Sequence, residues 1–504
     1  MKKLAYALLV LIFLLGAALA LLVNSGVISA SSLKMIANTQ FGIGVESPSI
    51  DESGNNGIYQ LPPGFTLQVY ADDVPKARFL RFTPLGDLLV SRPHKGDVVL
   101  LRKDKNGDGR HDGLETVVDG LNRPQGIDFH QGWLYIAERE QVGRVRFDKG
   151  RAIGDYESII TGLTGDGNHW SKTLRFGPDG KLYLAQGSTC NVCVEEDERR
   201  ATMMRFNPDG SGGEIFATGL RNSVGFDWSP WDNGLYATDN GRDLLGDDFP
   251  VCELNLVEEG NFYGWPYFND NNVPDPDMGP DPQAANRTPT SPAHGFKAHN
   301  APLGMTFVET STWKGDFERV ALVALHGSWN RSSPDGYKVV SLHFTNSGIE
   351  ERDFLSGFNQ DGDILGRPVD VLQGPDAAVY VSDDYAGAVY RISQEVSGLQ
   401  GNIAGRSVNK LDEQAPPWLA TSNLTAMATE GAQLYQHYNC ASCHESIGTT
   451  VSLKGLNERL GYNAVIESLR EARAPMPLFP LTELQQKQIA VYLLQPDDIS
   501  DSGQ

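Results

Sequence analysis

Short apolar runs on either side of a tight turn recur along most of this chain. The clearest copy reads HWSKTLRFGPDGKLYLAQGS, from His169 to Ser188, and its Pro-Asp-Gly turn between two apolar runs predicts a β-hairpin. Looser copies follow at Leu80 to Val90, Gly126 to Ala137, Val224 to Thr238, Met305 to Leu325 and Val369 to Ser382. Six hairpins, about 45 to 80 residues apart, favour a mainly β fold, a six-bladed β-propeller over residues 61–392.

Polar and basic residues lie just outside these hairpins. Hairpin geometry brings the residue before the first strand and the residue after the second strand to one end of a blade, so in a closed propeller they meet at one mouth. Each residue alone is also consistent with an ordinary polar strand end, but together they predict a functional site. Those before the hairpins are Arg78, Arg123, His169, Arg221, Asn222, His299, Asn300 and Arg367, and those after them are Arg92, Glu138, Ser188, Asp239 and His326.

The charge balance narrows the class of ligand. The 504 residues are enough for two or more domains, and they carry a formal net charge of -22. Such an acidic chain is not expected to bind nucleic acid. An arginine-rich mouth within it is therefore a local exception that suits an anionic ligand.

The first residues predict export. Two lysines precede an apolar, uncharged run from Leu4 to Val23, and these roughly twenty residues are long enough to span a bilayer. Because Ser29 and Ala30 make a poor cleavage site, we favour a membrane anchor over a cleaved signal in residues 1–30. Everything after it is expected in the periplasm or on the outer face of the cytoplasmic membrane. Residues 31–60, rich in Ser, Gly and Asn, predict a tether.

A calcium-loop motif lies between the first and second hairpins. The segment from Asp104 to Glu115 matches D-x-[DN]-x-[DN]-G-x5-E, and its flanks are typical of strands rather than helices. It therefore predicts a structural calcium loop on a blade, with a solvated acidic turn as the alternative. The candidate ligands are Asp104, Asn106, Asp108, Arg110, Asp112 and Glu115.

Three of the five cysteines lie in the hairpin region. Cys190 and Cys193 are followed by Val194 and not by histidine, which excludes c-type haem attachment there. Because no second ligand pair is evident, we expect a local disulfide rather than a zinc site in an exported chain. Cys252 is left over, and we expect a buried free thiol.

A long insertion separates the fourth and fifth hairpins. Residues 260–302 are rich in Pro, Asn and Asp and show no strand periodicity, and loops of this length usually carry function or cover it. Tyr263, Trp265 and Tyr267 within it either form a platform for a sugar ring or, as we favour, pin the loop.

The chain changes character after the last hairpin. Residues 393–417 predict a linker, and residues 418–504 predict a small all-α domain that ends in a helix from Leu481 to Leu494. Cys440 and Cys443 belong to C-x-x-C-H, the motif of covalent haem c attachment. The axial ligands would be His444 and, from a proline-stiffened loop, Met476, a combination that suits electron transfer.

Several longer phrases carry a family resemblance. They are GNHW around His169, GSTCNVCVEED, ATGLRNSVG, NFYGWPY, HGSWNRSSPDGYKV, GRPVDV and VYVSDD. With these phrases, the region from Leu61 to Ile392 resembles the sugar dehydrogenases that use pyrroloquinoline quinone (PQQ), especially the sorbosone dehydrogenase-like members. The C-terminal region is similar to class I cytochromes c.

The resemblance implies roles for individual residues. His169 would be the general base that takes the hydroxyl proton of the substrate. The carbonyls of Gly241 and Arg242 would bind the calcium ion at the quinone. The residues implied in binding PQQ are Arg92, Arg221, Asn222, His326, Arg331 and Arg367.

Elementary chemistry is consistent with these roles. PQQ is a tricarboxylate, and guanidinium groups bind carboxylates in bidentate fashion. A divalent cation stabilises a developing oxyanion, and imidazole is suited to act as a base near neutral pH. Two departures stand out: the lysine that soluble glucose dehydrogenases place near the quinone has no clear counterpart in HGSWNR, and Cys252 lies close to the expected calcium turn.

The sequence therefore favours an enzyme with PQQ, haem c and Ca²⁺ as cofactors. It would oxidise an aldose or sorbosone-like sugar and pass electrons through its own haem to an external acceptor. The alternatives are a propeller that binds a glycan or partner and is fused to an electron-transfer cytochrome, and a plain electron carrier with a structural propeller. A binding module gives no reason for basic residues at matched hairpin ends.

Overall fold

The computed structural model confirms a six-bladed propeller. It describes residues 23–24, 29–41, 57–308, 313, 317–394, 424–437, 440, 453, 456, 462–470 and 481–494. The chain divides into two compact units, Met1–Val396 and Ser397–Gln504. The first contains six four-stranded antiparallel sheets, one for each predicted hairpin.

Each blade begins with a predicted hairpin as its two inner strands. Blade 1 contains β2 (Leu80–Phe82), β3 (Leu88–Arg92), β4 (Asp97–Leu101) and β5 (Leu114–Val118), and blade 2 contains β6 (Ile127–His130), β7 (Trp133–Ala137), β8 (Val142–Asp148) and β9 (Arg151–Ile160). Blade 3 contains β10 (Lys172–Phe176), β11 (Leu182–Gln186), β12 (Thr202–Phe206) and β13 (Glu214–Thr218). Blade 4 contains β14 (Ser223–Trp228), β15 (Leu235–Asp239), β16 (Cys252–Leu256) and β19 (His294–Phe296). Blade 5 contains β20 (Pro302–Phe307), β21 (Val320–Leu325), β22 (Lys338–Thr345) and β23 (Gly348–Leu355).

Blade 6 closes the propeller with strands from both ends of the first unit. It contains β26 (Pro368–Gln373), β27 (Val379–Asp383), β28 (Ala388–Gln394) and β1 (Phe65–Ala71). β1 pairs antiparallel with β28 from Phe65 opposite Gln394 onward. The innermost strands contact one another in a closed circle, β2 to β6, β10, β14, β20, β26 and back to β2. This closure protects the sheet edges that would otherwise be open.

Apolar residues at alternate strand positions build a core between each pair of neighbouring blades. Between blades 2 and 3, for example, Tyr135 and Ala137 pack with Leu174 and Leu184. The innermost strands approach closely enough to require glycine at Gly225, where a methyl group would overlap the carbonyl of Leu303. Packing between blades, rather than within one sheet, therefore stabilises the propeller.

Charged side chains near the axis also join neighbouring blades. Arg81 of β2 pairs with Asp128 of β6 at 3.2 Å, and Arg175 of β10 pairs with Asp227 of β14 at 3.0 Å. Both arginines also donate to backbone carbonyls of the next blade. These ion pairs fix the blades against each other, because each cation is satisfied only when its neighbour is in place.

The predicted tether differs from the structure in part. Residues 31–41 of the segment belong to helix α1 (Ala30–Phe41), which packs on the short hairpin of β24 (Asn359–Gln360) and β25 (Asp363–Ile364). The Lys34 ammonium pairs with Asp363 at 2.5 Å, and Met35 is buried in the core between blades 5 and 6. The Ser- and Asn-rich composition did not reveal this helix, because its stabilising contacts come from residues about 300 positions away.

The predicted insertion after β16 has limited secondary structure. It contains the hairpin of β17 (Phe268–Asn269) and β18 (Val273–Pro274), a 3-10 helix (Ala284–Asn286) and β19, which is the outer strand of blade 4. Tyr263, Trp265 and Tyr267 are all buried, and each side chain donates a hydrogen bond, to Leu256, Asn191 and Gln283. These contacts agree with the interpretation that the three aromatic residues pin the loop.

The C-terminal unit is helical where the structure describes it. It contains α2 (Leu424–His437), α3 (Tyr462–Arg470) and α4 (Glu483–Leu493), and α4 begins with a capping box between Thr482 and Gln485. α2 and α4 lie in close contact, because a methyl group at Gly431 would overlap the carbonyl of Gln488. Cys440 is partly buried, whereas Cys443, His444 and Met476 lie outside the described residues.

Among the described residues, no helix has the length and apolar character needed to cross a bilayer. The predicted anchor from Leu4 to Val23 lies outside them except for its last residue.

Candidate functional site

The ends of all six hairpins meet at one surface, which we call the mouth. Residues that precede an inner strand are bonded to residues that follow its partner, as between His169 and Ser188 of blade 3. Side chains then connect neighbouring blades around the axis. These contacts are Arg123 with Trp170, Asn191 with Asp243, Asn330 with Asp243, His326 with Asp384, and Arg78 with Asp384.

His169 lies at the mouth immediately before β10, and its hydrogen bonds determine its tautomer. Nδ1 is 3.0 Å from the carbonyl oxygen of Ser188 and 2.9 Å from its Oγ, and that hydroxyl donates to the carbonyl of Cys190 at 2.7 Å. A carbonyl only accepts, so Nδ1 carries the proton and Nε2 keeps its lone pair. The backbone is held too, because Arg200 donates to the carbonyls of His169 and Ser188 at 2.9 and 3.0 Å.

The surroundings keep His169 uncharged. Burial, followed by the nearby Arg221 guanidinium, lowers the pKa of His169 to about 3. At neutral pH the imidazole is therefore a neutral base with a fixed orientation. Such a group can accept a proton from a hydroxyl at Nε2.

Arg221 and Asn222 lie beside His169, where β14 begins. Their backbone N–H groups donate to the carboxylate of Asp239, at 2.8 and 2.5 Å, and burial raises the pKa of Asp239 to about 7. The Arg221 side chain is 4% exposed and donates to Asn191, Asn240 and Asp243. A side chain at Gly187 would overlap both Asn222 and His169, so these two residues are direct neighbours. The Asn222 amide forms no hydrogen bond with any described residue.

A second group of mouth residues gathers around Asp384. His326 Nε2 lies 3.0 Å from this carboxylate, and Arg78 donates to it at 2.9 Å. Arg367 lies next to them and donates to the carbonyls of His326 and Gly327. Burial and the Arg367 charge lower the pKa of His326 to about 4, and although burial opposes it, the His326 and Arg78 contacts lower the pKa of Asp384.

Arg123 completes the circle of cations. Its guanidinium lies 4.8 Å from the centre of the Trp170 ring, directly beside His169, and it forms no hydrogen bond with a described residue. Burial together with Lys76, Arg123 and Arg78 lowers the pKa of His94, so all three cations lie close enough to His94 to repel its protonated form.

Two of the predicted cofactor contacts are held by local partners. Arg92 forms a bidentate pair with Asp97 at 2.8 and 2.6 Å. Arg331 pairs with Asp248 at 3.0 Å and also donates to the carbonyls of Asp247 and Ala298. Both remain predictions as cofactor ligands, but their guanidinium groups are already engaged.

The expected calcium turn is anchored by a buried ion pair. The Arg242 side chain binds Asp275 at 2.5 Å and Asp277 at 2.5 Å, both from the insertion after β16. Beside it, the Gly241 N–H donates to the sulfur of Cys252 at 3.5 Å, and Cys252 is buried as predicted. The structure thus joins the turn at Gly241 and Arg242 to the insertion that covers it.

The predicted calcium loop of blade 1 is arranged by its own backbone. The Asp104 carboxylate accepts from the N–H groups of Gly107 and Gly109, and Asp112 accepts from Lys105. Asn106 and Asp108 accept from the backbone in the same way, and the Arg110 side chain pairs with Asp72. Glu115 points away from this loop to Arg102, at 2.7 Å. Calcium binding by this loop remains a prediction. Glu115, expected as the ligand at position twelve, is directed to Arg102 instead.

The disulfide predicted between Cys190 and Cys193 is present. It closes a loop of four residues between β11 and β12, in contact with both Ser188 and Arg221. Among the described residues, the group formed by these two sulfurs and Glu195 is the one whose ligand atoms meet the spacing of a metal site, and the disulfide removes two of them as ligands.

The sequence did not reveal every residue of the site. Arg200 belongs to a charged run, EEDERR, which is typical of a solvated surface, yet its side chain is buried beneath His169. Asp384 follows β27 directly, so its position after a second strand was the available signal. The role of Ser188 could not be predicted, because it depends on the backbone path beyond the strand.

The mouth fits an anionic cofactor. Arg78, Arg123 and Arg367 lie in this part of the mouth, where Asp384 is the acidic partner of Arg78, and each keeps N–H groups for which the described residues supply no acceptor. The Asn222 amide, which has no partner among the described residues, lies beside His169. Guanidinium and amide donors of this kind match the carboxylates and carbonyls of a quinone such as PQQ.

Comparisons with known proteins agree with this architecture. A family model described as TrAA12-like matches residues 59–395. An uncharacterized protein of Borreliella burgdorferi is 29% identical over 355 residues, which cover 67% of this chain and 91% of the relative.

Two solved structures share the fold. A calcium structure of a Carbohydrate-Active Enzymes Family AA12 protein from Trichoderma reesei has a TM-score of 0.59 and 19% identity, covering 67% of this chain and 97% of that protein. The holo form of the pyranose dehydrogenase PQQ domain from Coprinopsis cinerea has a TM-score of 0.56 and 22% identity. The match covers 69% of this chain and 100% of that domain.

Proposed function

We propose that this chain, which belongs to the TrAA12-like family, is a PQQ-dependent dehydrogenase that oxidises an aldose or sorbosone-like sugar. The observation that carries the proposal is a neutral, oriented imidazole, His169, at the edge of a mouth lined by guanidinium groups that keep free N–H donors. Two structures of similar fold, the PQQ domain of a pyranose dehydrogenase and the calcium structure of a family AA12 protein, support the same cofactors.

The residues of the mouth divide the work of binding. Three arginines would hold the carboxylates of PQQ through their remaining N–H groups: Arg78, Arg123 and Arg367. The amide of Asn222 would donate to or accept from the quinone ring system of PQQ. Arg221 lies deeper and contributes mainly its charge, because most of its N–H groups are bound to the protein. The carbonyls of Gly241 and Arg242 would bind the calcium ion.

When bound, PQQ with its calcium ion supplies the acceptor of a hydride from a sugar C–H bond. His169 accepts the hydroxyl proton at Nε2, while its Nδ1–H remains bonded to Ser188. Burial, followed by the charge of Arg221, keeps the imidazole uncharged before the reaction. The sugar thereby loses one proton and one hydride, that is, two electrons.

Reconstitution tests the enzymatic function. The exported portion, residues 31–504, should show sugar-dependent reduction of an artificial electron acceptor after addition of PQQ and Ca²⁺. Omission of PQQ or a chelator for Ca²⁺ should remove the activity. A protein that binds aldoses but turns over none of them with PQQ and Ca²⁺ would instead be the glycan-binding alternative.

We also propose that the C-terminal unit carries haem c and passes the electrons to an external acceptor. Cys440 and Cys443 would attach the haem, and His444 and Met476 would bind its iron. The compact helical unit, with Val465, Ile466 and Ile489 buried together, supports a separate domain of this kind. Localisation follows the same line: the chain would be exported and held at the outer face of the cytoplasmic membrane by residues 4–23.

The haem assignment has a spectroscopic test. Protein produced with a c-type maturation system should give a pyridine haemochrome of the c type, which Cys440→Ser with Cys443→Ser should lose. Met476→Leu should lower the reduction potential, because the thioether ligand raises it. Met427→Leu, a second methionine of the same unit, is the control and should leave the potential unchanged. Equal potentials in both variants would exclude Met476 as a ligand.

A further inference from the structure

We propose that the disulfide loop, residues 190–193, is a positioning element. It links the imidazole of His169, in blade 3, to the buried guanidinium of Arg221, in blade 4. This inference rests on the proposed function. None of the four residues is expected to touch the sugar or to exchange electrons with it. The loop acts instead through Ser188 and Arg221, which it holds from opposite sides.

The first link runs from the loop to His169. The carbonyl of Cys190 accepts the hydroxyl proton of Ser188 at 2.7 Å, which directs an oxygen lone pair of Ser188 toward Nδ1 of His169 at 2.9 Å. The two hydrogen bonds run in one direction: the imidazole donates to the hydroxyl, and the hydroxyl donates to the carbonyl. The Cys190 carbonyl therefore orients one of the two acceptors of Nδ1, the Ser188 hydroxyl, and the Ser188 carbonyl is the other.

The second link runs from the loop to Arg221. Asn191 accepts from Nε of Arg221 at 3.0 Å through its carbonyl and from Nη2 at 2.8 Å through Oδ1. The Asn191 side chain also exchanges hydrogen bonds with the backbone of Asp243, at 2.9 and 3.1 Å. The indole N–H of Trp265 donates to the backbone carbonyl of Asn191 at 3.2 Å. One asparagine thus joins the arginine, the loop after β15 and the insertion.

The disulfide explains how an irregular segment can hold these positions. Residues 187–201 contain no strand or helix, so no backbone ladder fixes Asn191. The bond between Cys190 and Cys193 restricts the residues on both sides of the tip, and Glu195 anchors the far flank by accepting from the N–H and hydroxyl of Thr189 at 2.6 and 2.7 Å. Preorganisation of this kind keeps a reacting group in its productive geometry.

The coupling has an electrostatic consequence. Arg221 and Arg200 are the cations that face His169, from blades 4 and 3, and both disfavour its protonation. If the loop loosens, Arg221 loses two acceptors and solvent reaches the imidazole. Arg221 is then free to move away from the imidazole, and both changes raise the pKa of His169 toward its ordinary value, at which most of the ring is still neutral at pH 7. The loss of turnover therefore comes from the lost orientation of the ring and not from its charge.

The test uses two variants and one matched control. Cys190→Ser with Cys193→Ser opens the loop, and Asn191→Ala keeps the disulfide but removes the side-chain link to Arg221. Val192→Ala changes a residue of the same loop that carries none of these hydrogen bonds. Three quantities are measured: the NMR titration of His169 in cofactor-free protein, the Kd for PQQ, and kcat with KM for the sugar as a function of pH.

Both variants should move the His169 titration from far below pH 6 toward its ordinary range. They should weaken PQQ binding and lower kcat by roughly tenfold or more, as removal of outer partners does at other sites, with KM little changed. The pH at which kcat falls on the acid side of the profile should move to higher values together with the titration of His169. Val192→Ala should match the wild type in all three measurements.

The inference is wrong if Asn191→Ala retains the wild-type His169 titration and PQQ affinity. If the double cysteine variant does not fold, Asn191→Ala decides by itself. Failure of the proposed function is recognised separately, because wild-type protein would then neither bind PQQ nor oxidise any sugar. The His169 titration in cofactor-free protein would still decide whether the loop positions the base.

Discussion

Replacement of His169 by alanine should lower sugar-dependent turnover by about 10²–10⁴-fold, the usual contribution of a general base. The imidazole is partly exposed at the mouth and makes its hydrogen bonds only to Ser188, so its removal should leave the fold and PQQ binding intact. Steady-state rates, with PQQ affinity measured in parallel, check this result. His130→Ala is the control, because His130 stacks on Phe176 at the far end of its hairpin.

The pH dependence of wild-type turnover follows from the same residue. The neutral form of His169 is the base, so activity is lost as the pH falls through its folded pKa, which is about 3. Between pH 7 and about pH 4, kcat/KM should therefore show no decline from this group, whereas an ordinary histidine would produce one near 6.5. An acid limb near pH 6.5 that disappears in His169→Ala would contradict the electrostatic environment described for the mouth.

Removal of the Asp275 carboxylate should cost about 3–5 kcal/mol of unfolding free energy, because it leaves a buried guanidinium with only the exposed carboxylate of Asp277 as its ionic partner. The Asp275 side chain is 1% exposed, binds Arg242 through both oxygens, and also accepts from Asn269 and two backbone N–H groups. Denaturant unfolding of Asp275→Ala measures the loss. The insertion should also become more sensitive to proteases, since Asp275 ties it to the turn at Arg242.

Asp277 provides the matched control. It binds the same guanidinium at 2.5 Å, but its side chain is 66% exposed. Exposed ion pairs contribute at most about 1 kcal/mol, so Asp277→Ala should be nearly neutral. Equal losses in the two variants would mean that burial does not set the strength of this pair.

The propeller could be predicted because the inner hairpin of each blade is encoded by a local sequence pattern. Turn residues and alternating apolar positions within about ten to twenty residues were enough to find all six copies, such as Thr173 to Ala185. The closure of blade 6 was not predictable in this way. Its outer strand, β1, pairs with β28 more than 300 residues later, and no local pattern encodes that partner.

The site was predicted in outline and less well in detail, for a similar reason. The hairpin rule placed His169, Arg221 and His326 at one mouth, which depends only on topology. Whether a guanidinium there remains available depends on its partner, and Arg92 and Arg331 are engaged by carboxylates that the rule does not consider. Glu115 shows the same effect, since its strand pairing with Leu100 directs it to Arg102 instead of the loop.

The pairing of Phe65 with Gln394 has a consequence for everything attached to the propeller. Paired strands are about 5 Å apart, so the chain enters and leaves the propeller at one corner. A molecule that is recruited by one flanking segment is thereby confined near the origin of the other. Its effective concentration there depends on the lengths of the two flanks and not on diffusion from bulk solution.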